Sequence, residues 1–389
     1  ATGLAPGQTY FFRFRAGSDV SPVGRTRTLP TLGAASVKLA VFSCANYPAG
    51  FFHAYGEAVR AGAEYALHLG DYIYEYPADG YASEDAEALG RVSTPANEIL
   101  TLADYRARYA QYRSDPDLKQ LHASMPMIAV WDDHEITNDA YVTGAENHTE
   151  GTGEGGEGAF RTRLATALKV YHEWMPIRTP DLRDLRKIYR SFDFGNLLSL
   201  HMLDTRVIGR DQQMDYANYL GASGFDTARF TADLTDPNRT LLGAEQNDWL
   251  GLQLAQSDTT WDLLGQQVLM GRMNIPAPLV LGQISFSAYS ALVVKAQTAP
   301  ATLTPQEQAV LAQPAIPYNL DAWDGYAIAR ETLLGTARAL DKNLVVLAGD
   351  THNAWASDLA DFAGNRVGVE FATPSVSSPG LEEYFPAEN

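Results

Sequence analysis

Four short segments of the chain end an apolar run with groups that bind cations or carry protons. They are Cys44, Gly70-Asp71-Tyr72-Ile73-Tyr74, Asp132-Asp133-His134-Glu135 and Gly349-Asp350-Thr351-His352. Carboxylates crowded together repel one another unless a multivalent cation sits among them. Thiolate, phenolate, carboxylate and imidazole make a mixed donor set. Thiolate and phenolate suit iron, whereas all-carboxylate positions suit calcium, magnesium or manganese. Singly, each segment has a plainer reading: a lone Cys as a small buried hydrophobe, Gly-Asp as a turn, Asp132-Asp133 as a helix cap. Four of them at four run ends point instead to a metal site, because ligands gather where the strands of an α/β sheet end.

The runs that must position these groups are residues 37–42, 65–69, 127–131 and 344–348, joined by 197–203, which ends at Asp204, and 261–270. Continuous rather than alternating apolar runs predict strands buried on both faces, and so an α/β fold. Helices are expected over 51–63, 102–122, 161–174, 245–257 and 325–340, and a surface loop over the Gly/Glu-rich residues 151–158. Residues 275–319, rich in Pro, Ala and Gln, predict an irregular excursion with one short helix near 305–313. Residues 9–15 alternate, which predicts a half-buried strand with Tyr10, Phe12 and Phe14 on one face, and a second strand follows near 24–29. Two strands are not stable alone. The expected division is therefore a short β segment, 1–30, packed on the body or left from a longer β domain, and a main domain, 36–389.

Composition narrows the partners. The 389 residues carry 29 Lys+Arg against 47 Asp+Glu, a formal charge of −18, which argues against a stable nucleic-acid complex. The single cysteine excludes an internal disulfide and a cysteine-rich zinc module. No apolar run reaches the roughly 18 residues of a transmembrane segment. The N-terminus lacks the basic and apolar regions of a signal peptide, so any such leader is expected to be gone already. Asn147 and Asn238 begin glycosylation patterns; Ser375, Ser377 and Ser378 have no nucleophile elbow around them; Trp323 and the other tryptophans read as packing.

Several longer motifs resemble one family. Gly70-Asp71-Tyr72-Ile73-Tyr74-Glu75, Trp131-Asp132-Asp133-His134-Glu135, Leu203-Asp204-Thr205-Arg206, Trp323-Asp324-Gly325-Tyr326, Gly349-Asp350-Thr351-His352 and residues 370–380 are similar to those of PhoD-type alkaline phosphatases, in the same order. Phe42-Ser43-Cys44 resembles the end of that family's opening strand. The family is a branch of the metallophosphoesterases. The resemblance implies a β-sandwich flanked by helices, with the last strands of an N-terminal immunoglobulin-like domain at residues 3–30 and the earlier strands of that domain missing. It also implies one ferric ion with calcium ions, hydrolysis of phosphomonoesters and phosphodiesters, and a periplasmic or extracellular location reached by twin-arginine export. By the same resemblance Cys44, Asp71, Tyr74 and His352 look like iron ligands. Asp71 would bridge to a second metal completed by Asp133 and Asp350, with Asp132 the alternative to Asp133, and Asp324 resembles a calcium ligand.

The expected chemistry follows from charge. Two cations neutralise the anionic ester and lower the pKa of bound water, so that hydroxide is available to attack phosphorus in line with the leaving group. His134 is the candidate to stabilise the transition state or protonate the leaving oxygen, with support of the metal ligands as its other role. Arg206 either holds a phosphate oxygen or forms a structural salt bridge. The expected function is therefore metal-dependent hydrolysis of a phosphate ester. A phospholipase D-type phosphodiesterase is the alternative within the class, and a non-catalytic metal-binding or adhesion protein the alternative outside it. Residues 275–319 are expected to shape the entrance. An apolar rim there would favour lipid diesters, and a narrow basic one small monoesters.

Overall fold

The computed structural model describes residues 2–31, 33–221 and 224–381; the last eight residues of the expected main domain lie outside the described residues. Its smaller sheet consists of β1 (Leu39–Phe42), β2 (Tyr65–His68) and β3 (Met127–Ala129), all parallel, in that order. Helix His53–Arg60 makes the crossover from β1 to β2. The single helix expected over 102–122 is two, Leu102–Tyr112 and Pro116–Ser124. Asp115 causes the break: its side chain accepts from the amides of Asp117 and Leu118, and Pro116 occupies the first helical position.

The larger sheet contains β4 (Arg190–Phe194), β5 (Leu198–Met202), β6 (Trp261–Gly265), β7 (Leu344–Ala348), β8 (Trp355–Ala360) and β9 (Arg366–Ala372). Its order is β8-β9-β7-β6-β5-β4. The four inner strands are parallel, and β4 and β8 run antiparallel at the edges. β4, β8 and β9 were not expected from the sequence. Each mixes charged and apolar residues, as in Arg366-Val367-Gly368-Val369-Glu370, and so lacks the continuous run that marks a strand covered on both faces.

Alternation along the larger sheet assigns its two faces. Leu200, Leu263 and Leu347 share one core with Phe42, Leu67 and Ile128 of the smaller sheet. Leu264, Leu344 and Val346 point the other way and pack with Leu250 and Leu254 of helix Gly243–Gln256 and with Leu333 and Leu334 of helix Ala327–Ala339. Each such buried side chain contributes about 1.5–3 kcal/mol. The chain is thus a mixed α/β fold whose central mixed sheet is flanked by helices. Among the described residues no helix is long and apolar enough to cross a membrane.

Two peripheral segments differ from expectation. Thr9–Phe12 does pair with Gly24–Arg27, and the ribbon is tied to the body by an Arg27–Glu64 ion pair and by Tyr65 Oη donating to Thr28 O at 3.0 Å. Its aromatic face is not half-buried, however: Phe12 and Phe14 are exposed, Phe14 at 72%. The excursion is more regular than expected. Asn274–Pro276 pairs with Ala315–Pro317, and between them lie helices Ala277–Val280, Phe286–Thr298 and Pro305–Leu311. Ser285 and Thr304 cap the last two by accepting from Ala288 and Glu307 amides.

Candidate metal centre

Because β1, β2, β3 and β7 are parallel to their neighbours, the residues after them emerge at one edge. Cys44 follows β1, Asp71 follows β2, Asp132 and Asp133 follow β3, and Asp350 and His352 follow β7. Glycine permits the approach. A Cβ on Gly70 would run into the Asp132 backbone and side chain, and one on Gly349 would meet Ser43 Cβ at 2.6 Å. The polypeptide itself is strained here: Cys44, Asp71, Asp350 and His352 all have φ between 55° and 64°. Non-glycine residues adopt that region rarely and at functional sites.

The donor atoms form three overlapping groups: Cys44 with Asp71 and His352, Asp71 with Asp133 and His134, and Asp132 with Asp133 and Asp350. In each group the donors all lie within 4.8 Å of one another. Tyr74 joins the first, its hydroxyl 3.3 Å from both Asp71 Oδ2 and His352 Nε2. Asp71 and Asp133 are shared, so the groups run into one seam. Asp324 belongs to none of them among the described residues. Its Oδ2 accepts from the Met273 amide at 2.8 Å, and it faces the same cavity as the seam.

The residues fit a cation. Asp71 Oδ1 is buried without a hydrogen-bond partner. Burial, with the neighbouring carboxylates, pushes Asp71 and Asp132 well above the usual carboxylate range. Burial and the Asp321 charge raise Asp350 to about 7, and burial followed by Asp71 pushes the Cys44 thiol up. Asp133 goes the other way: burial opposes its charge, but Arg206 and His134 hold it below the usual range. A multivalent cation in the seam would favour every ionised donor at once.

Supporting residues complete the site. His134 Nδ1 lies 2.7 Å from Glu75 Oε2, and its ring packs 4.2 Å from that of Tyr74. Burial disfavours the His134 proton, yet Glu75, Asp133 and Asp71 raise its pKa well above the ordinary value. Glu135 accepts from the amides of Asp71, Tyr72 and Asp132, at 3.1, 2.5 and 2.8 Å, and so fixes two strand ends together. The Ser378 hydroxyl donates to Tyr74 Oη at 2.7 Å. Gln267 Nε2 donates to Trp131 O and Leu203 O, joining ends of both sheets. Asn147 turns inward, its amide donating to Glu75 at 3.2 Å. Glu75 and Glu135 stand inside the sequence motifs, but nothing in the motifs distinguishes a supporting carboxylate from a ligand. Asp321 and Gln267 carry no local signal at all.

Arg206 does not line the cavity. It is fully buried, with Nε 2.5 Å from Asp132, Nη1 2.9 Å and Nη2 2.8 Å from Asp321, and Nη2 3.4 Å from Asp350. This geometry matches its salt-bridge role and leaves no guanidinium nitrogen facing a phosphate. Asp204 aims it: that carboxylate accepts from the amides of Arg206, Val207 and Ile208. Arg210 also binds Asp321. Asp132 is thereby turned to Arg206, whereas Asp133 lines the cavity and belongs to two donor groups. The cavity has a volume of about 590 Å³, and Asp71, Asp133, His134, Asp350 and His352 line it.

Fold and seam together define an α/β protein that gathers cation ligands at one sheet edge beneath an open cavity. The sequence matches the family description PhoD-like phosphatase over residues 39–389, and PhoD-like phosphatase, N-terminal domain, over residues 1–30. The chain belongs to the PhoD-like phosphatase family. It is 36% identical over 393 residues to alkaline phosphatase D of Bacillus subtilis (strain 168), a match covering 98% of this chain and 58% of that protein. A solved structure of PhoD superposes with a TM-score of 0.75 at 34% identity, covering 97% of this chain and 64% of the other. The chain thus spans about three fifths of the length of each relative.

Proposed function

We propose that this chain is a metal-dependent phosphoric ester hydrolase, similar to alkaline phosphatase D and acting on phosphomonoesters and phosphodiesters. The observation that carries the reading is the seam of three overlapping donor groups on the wall of a 590 Å³ cavity. Cys44, Asp71, Tyr74 and His352 would hold ferric iron, since they bring together the thiol, phenol and imidazole donors that suit it. Asp71, Asp133 and Asp350 would hold calcium, with Asp324 a further calcium ligand on the cavity wall. The bound cations would neutralise the anionic ester oxygens and make the nucleophile of hydrolysis available near neutral pH.

The chain's own residues have separate tasks. His134, held through Nδ1 by Glu75, presents its other ring nitrogen for proton transfer to the leaving oxygen. Arg206 acts through Asp132, Asp321 and Asp350, keeping these carboxylates ionised and in place. Glu135 sets the spacing of the Asp71 and Asp132 backbones. The division into an N-terminal β segment, 1–30, and a catalytic domain, 36–389, belongs to the same reading. So does the assignment of the two sheets with their shared core to a metallophosphoesterase sandwich, and of the ribbon to an immunoglobulin-like domain. Export in a folded state by the twin-arginine route suits a centre whose ligands span Cys44 to His352 and meet only on folding. The open cavity beside the donors favours catalysis over metal storage or adhesion.

The test is elemental analysis of the purified protein together with assays on a phosphomonoester and a phosphodiester. Iron with calcium is expected, and hydrolysis that a chelator abolishes and the same ions restore. A fully metal-loaded protein that cleaves neither ester class refutes the reading. Zinc or manganese in place of iron refutes the thiolate–phenolate assignment while leaving a hydrolase.

A further inference from the structure

The cavity lining is of two kinds. Beyond the ligand seam it is formed by Leu269, Met273, Tyr318, Trp355 and Leu381. Leu269 and Met273 come from the segment after β6, Tyr318 follows the strand Ala315–Pro317 that closes the excursion, and Trp355 begins β8. The Trp355 Nε1 atom is buried and has no hydrogen-bond partner among the described residues. The charged part of the lining is one-sided: six aspartates, 71, 133, 139, 321, 324 and 350, and no lysine or arginine. The guanidinium groups nearby are already engaged, Arg206 and Arg210 with Asp321, and Arg272 with Glu331 at 3.1 Å.

If the reading as a phosphoester hydrolase holds, phosphorus must sit at the seam, and the alcohol half of the ester must occupy the rest of the cavity. Hydrolysis there breaks one P–O bond, water adding its oxygen to phosphorus and a proton to the departing alcohol. An apolar or aromatic alcohol placed against Trp355, Tyr318 and Met273 removes apolar surface from water on both sides, worth about 25 cal/mol per Å². The lone indole N–H can serve only as a donor, and so suits a neutral oxygen on the departing group. A second anionic group would meet Asp324 and Asp321 with no free cation of the protein to pair with it. We infer that this apolar lining is a leaving-group subsite, selecting phosphate esters of uncharged apolar or aromatic alcohols over esters bearing a second anion.

The experiment uses the metal-loaded protein and the phosphate monoesters of 2-phenylethanol, ethanol and 4-hydroxybutyrate, alcohols of similar acidity. The expected kcat/KM for the phenylethyl ester exceeds that for the ethyl ester by about tenfold or more. The carboxylate ester is expected to fall below the ethyl ester. In Trp355→Leu and Trp355→Ala the phenyl preference should shrink severalfold while the ethyl ester is cleaved as before, which also shows that the variants are folded. Equal kcat/KM for the three esters, or equal losses for phenylethyl and ethyl esters in both variants, overturns the subsite. Calorimetry with 2-phenylethylphosphonate and ethylphosphonate reads the same selectivity without turnover. A protein that prefers the phenyl phosphonate but cleaves no ester keeps the subsite and loses the hydrolase reading. One that cleaves all three esters alike does the reverse.

Discussion

The ligand seam and the apolar lining share one cavity but are built differently. Every seam residue stands within four residues of the end of a buried parallel strand, and four of them are held at positive φ. Such backbone costs about 1–3 kcal/mol per residue and persists only where its surroundings over-determine it. Here the surroundings are buried carboxylates and amides, Glu135 on three backbone N–H groups and Gln267 across two strand ends. The apolar lining has neither feature. Its residues come from a loop, the base of a helical excursion and an edge strand, and none of the five has positive φ. The contrast separates the two demands on such a site. Chemistry is anchored in the core and cannot move without unfolding it, whereas selectivity rests on segments that can change independently.

Four substitutions test that contrast, taken from the largest expected effect to the smallest. Asp71→Asn removes the carboxylate shared by two donor groups. Metal content should fall and turnover should drop by at least about a hundredfold, the upper end of what losing a ligand's support costs. Full metal occupancy measured by mass spectrometry would falsify the bridging assignment. Arg206→Ala leaves Asp132 and Asp321 buried without their partner, so the metal-free protein should lose about 3–5 kcal/mol. A denaturant midpoint unchanged from that of the parent would show that the arginine does not hold the seam. His134→Ala should keep its metals and lose roughly tenfold or more in turnover. If turnover stays the same, the histidine has no part in proton transfer. Val294→Ser, on an exposed face of helix Phe286–Thr298, should change stability by no more than about 0.5 kcal/mol and leave turnover alone. A clear loss of activity there would tie the excursion to the chemistry and blur the distinction.

Much of the seam was legible because its parts are local. An apolar run, a glycine, then an ionisable residue is a pattern of a few positions, and it recurs at residues 70–71 and 349–350. What was not legible had no local marker. Edge strands β4, β8 and β9 carry charged residues because one side of each is free of a neighbour or partly solvated, so their runs are interrupted. The helix break at Asp115-Pro116 was written in the sequence as an N-cap followed by proline, but the apolar pattern on either side masks it. Helix Phe286–Thr298 is apolar with little buried face, so periodicity gives no signal. The aromatic residues of the N-terminal ribbon alternate as a buried strand would, yet Phe14 is 72% exposed.

The sequence by itself determined the fold class, the strand ends and the donor types, because each depends on neighbours along the chain. Only the tertiary structure decided between adjacent or ambiguous groups. It turned Asp132 to Arg206 and left Asp133 facing the cavity. It enclosed Arg206 among carboxylates from residues 132, 321 and 350, brought Glu75 under His134, and placed Trp355 beside the seam while Trp323 stayed wholly in the core. The physical reason is range. Strand formation and helix capping act over a few residues, whereas charge pairing and cavity lining depend on which distant segments the packed sheets bring within a few ångströms of one another.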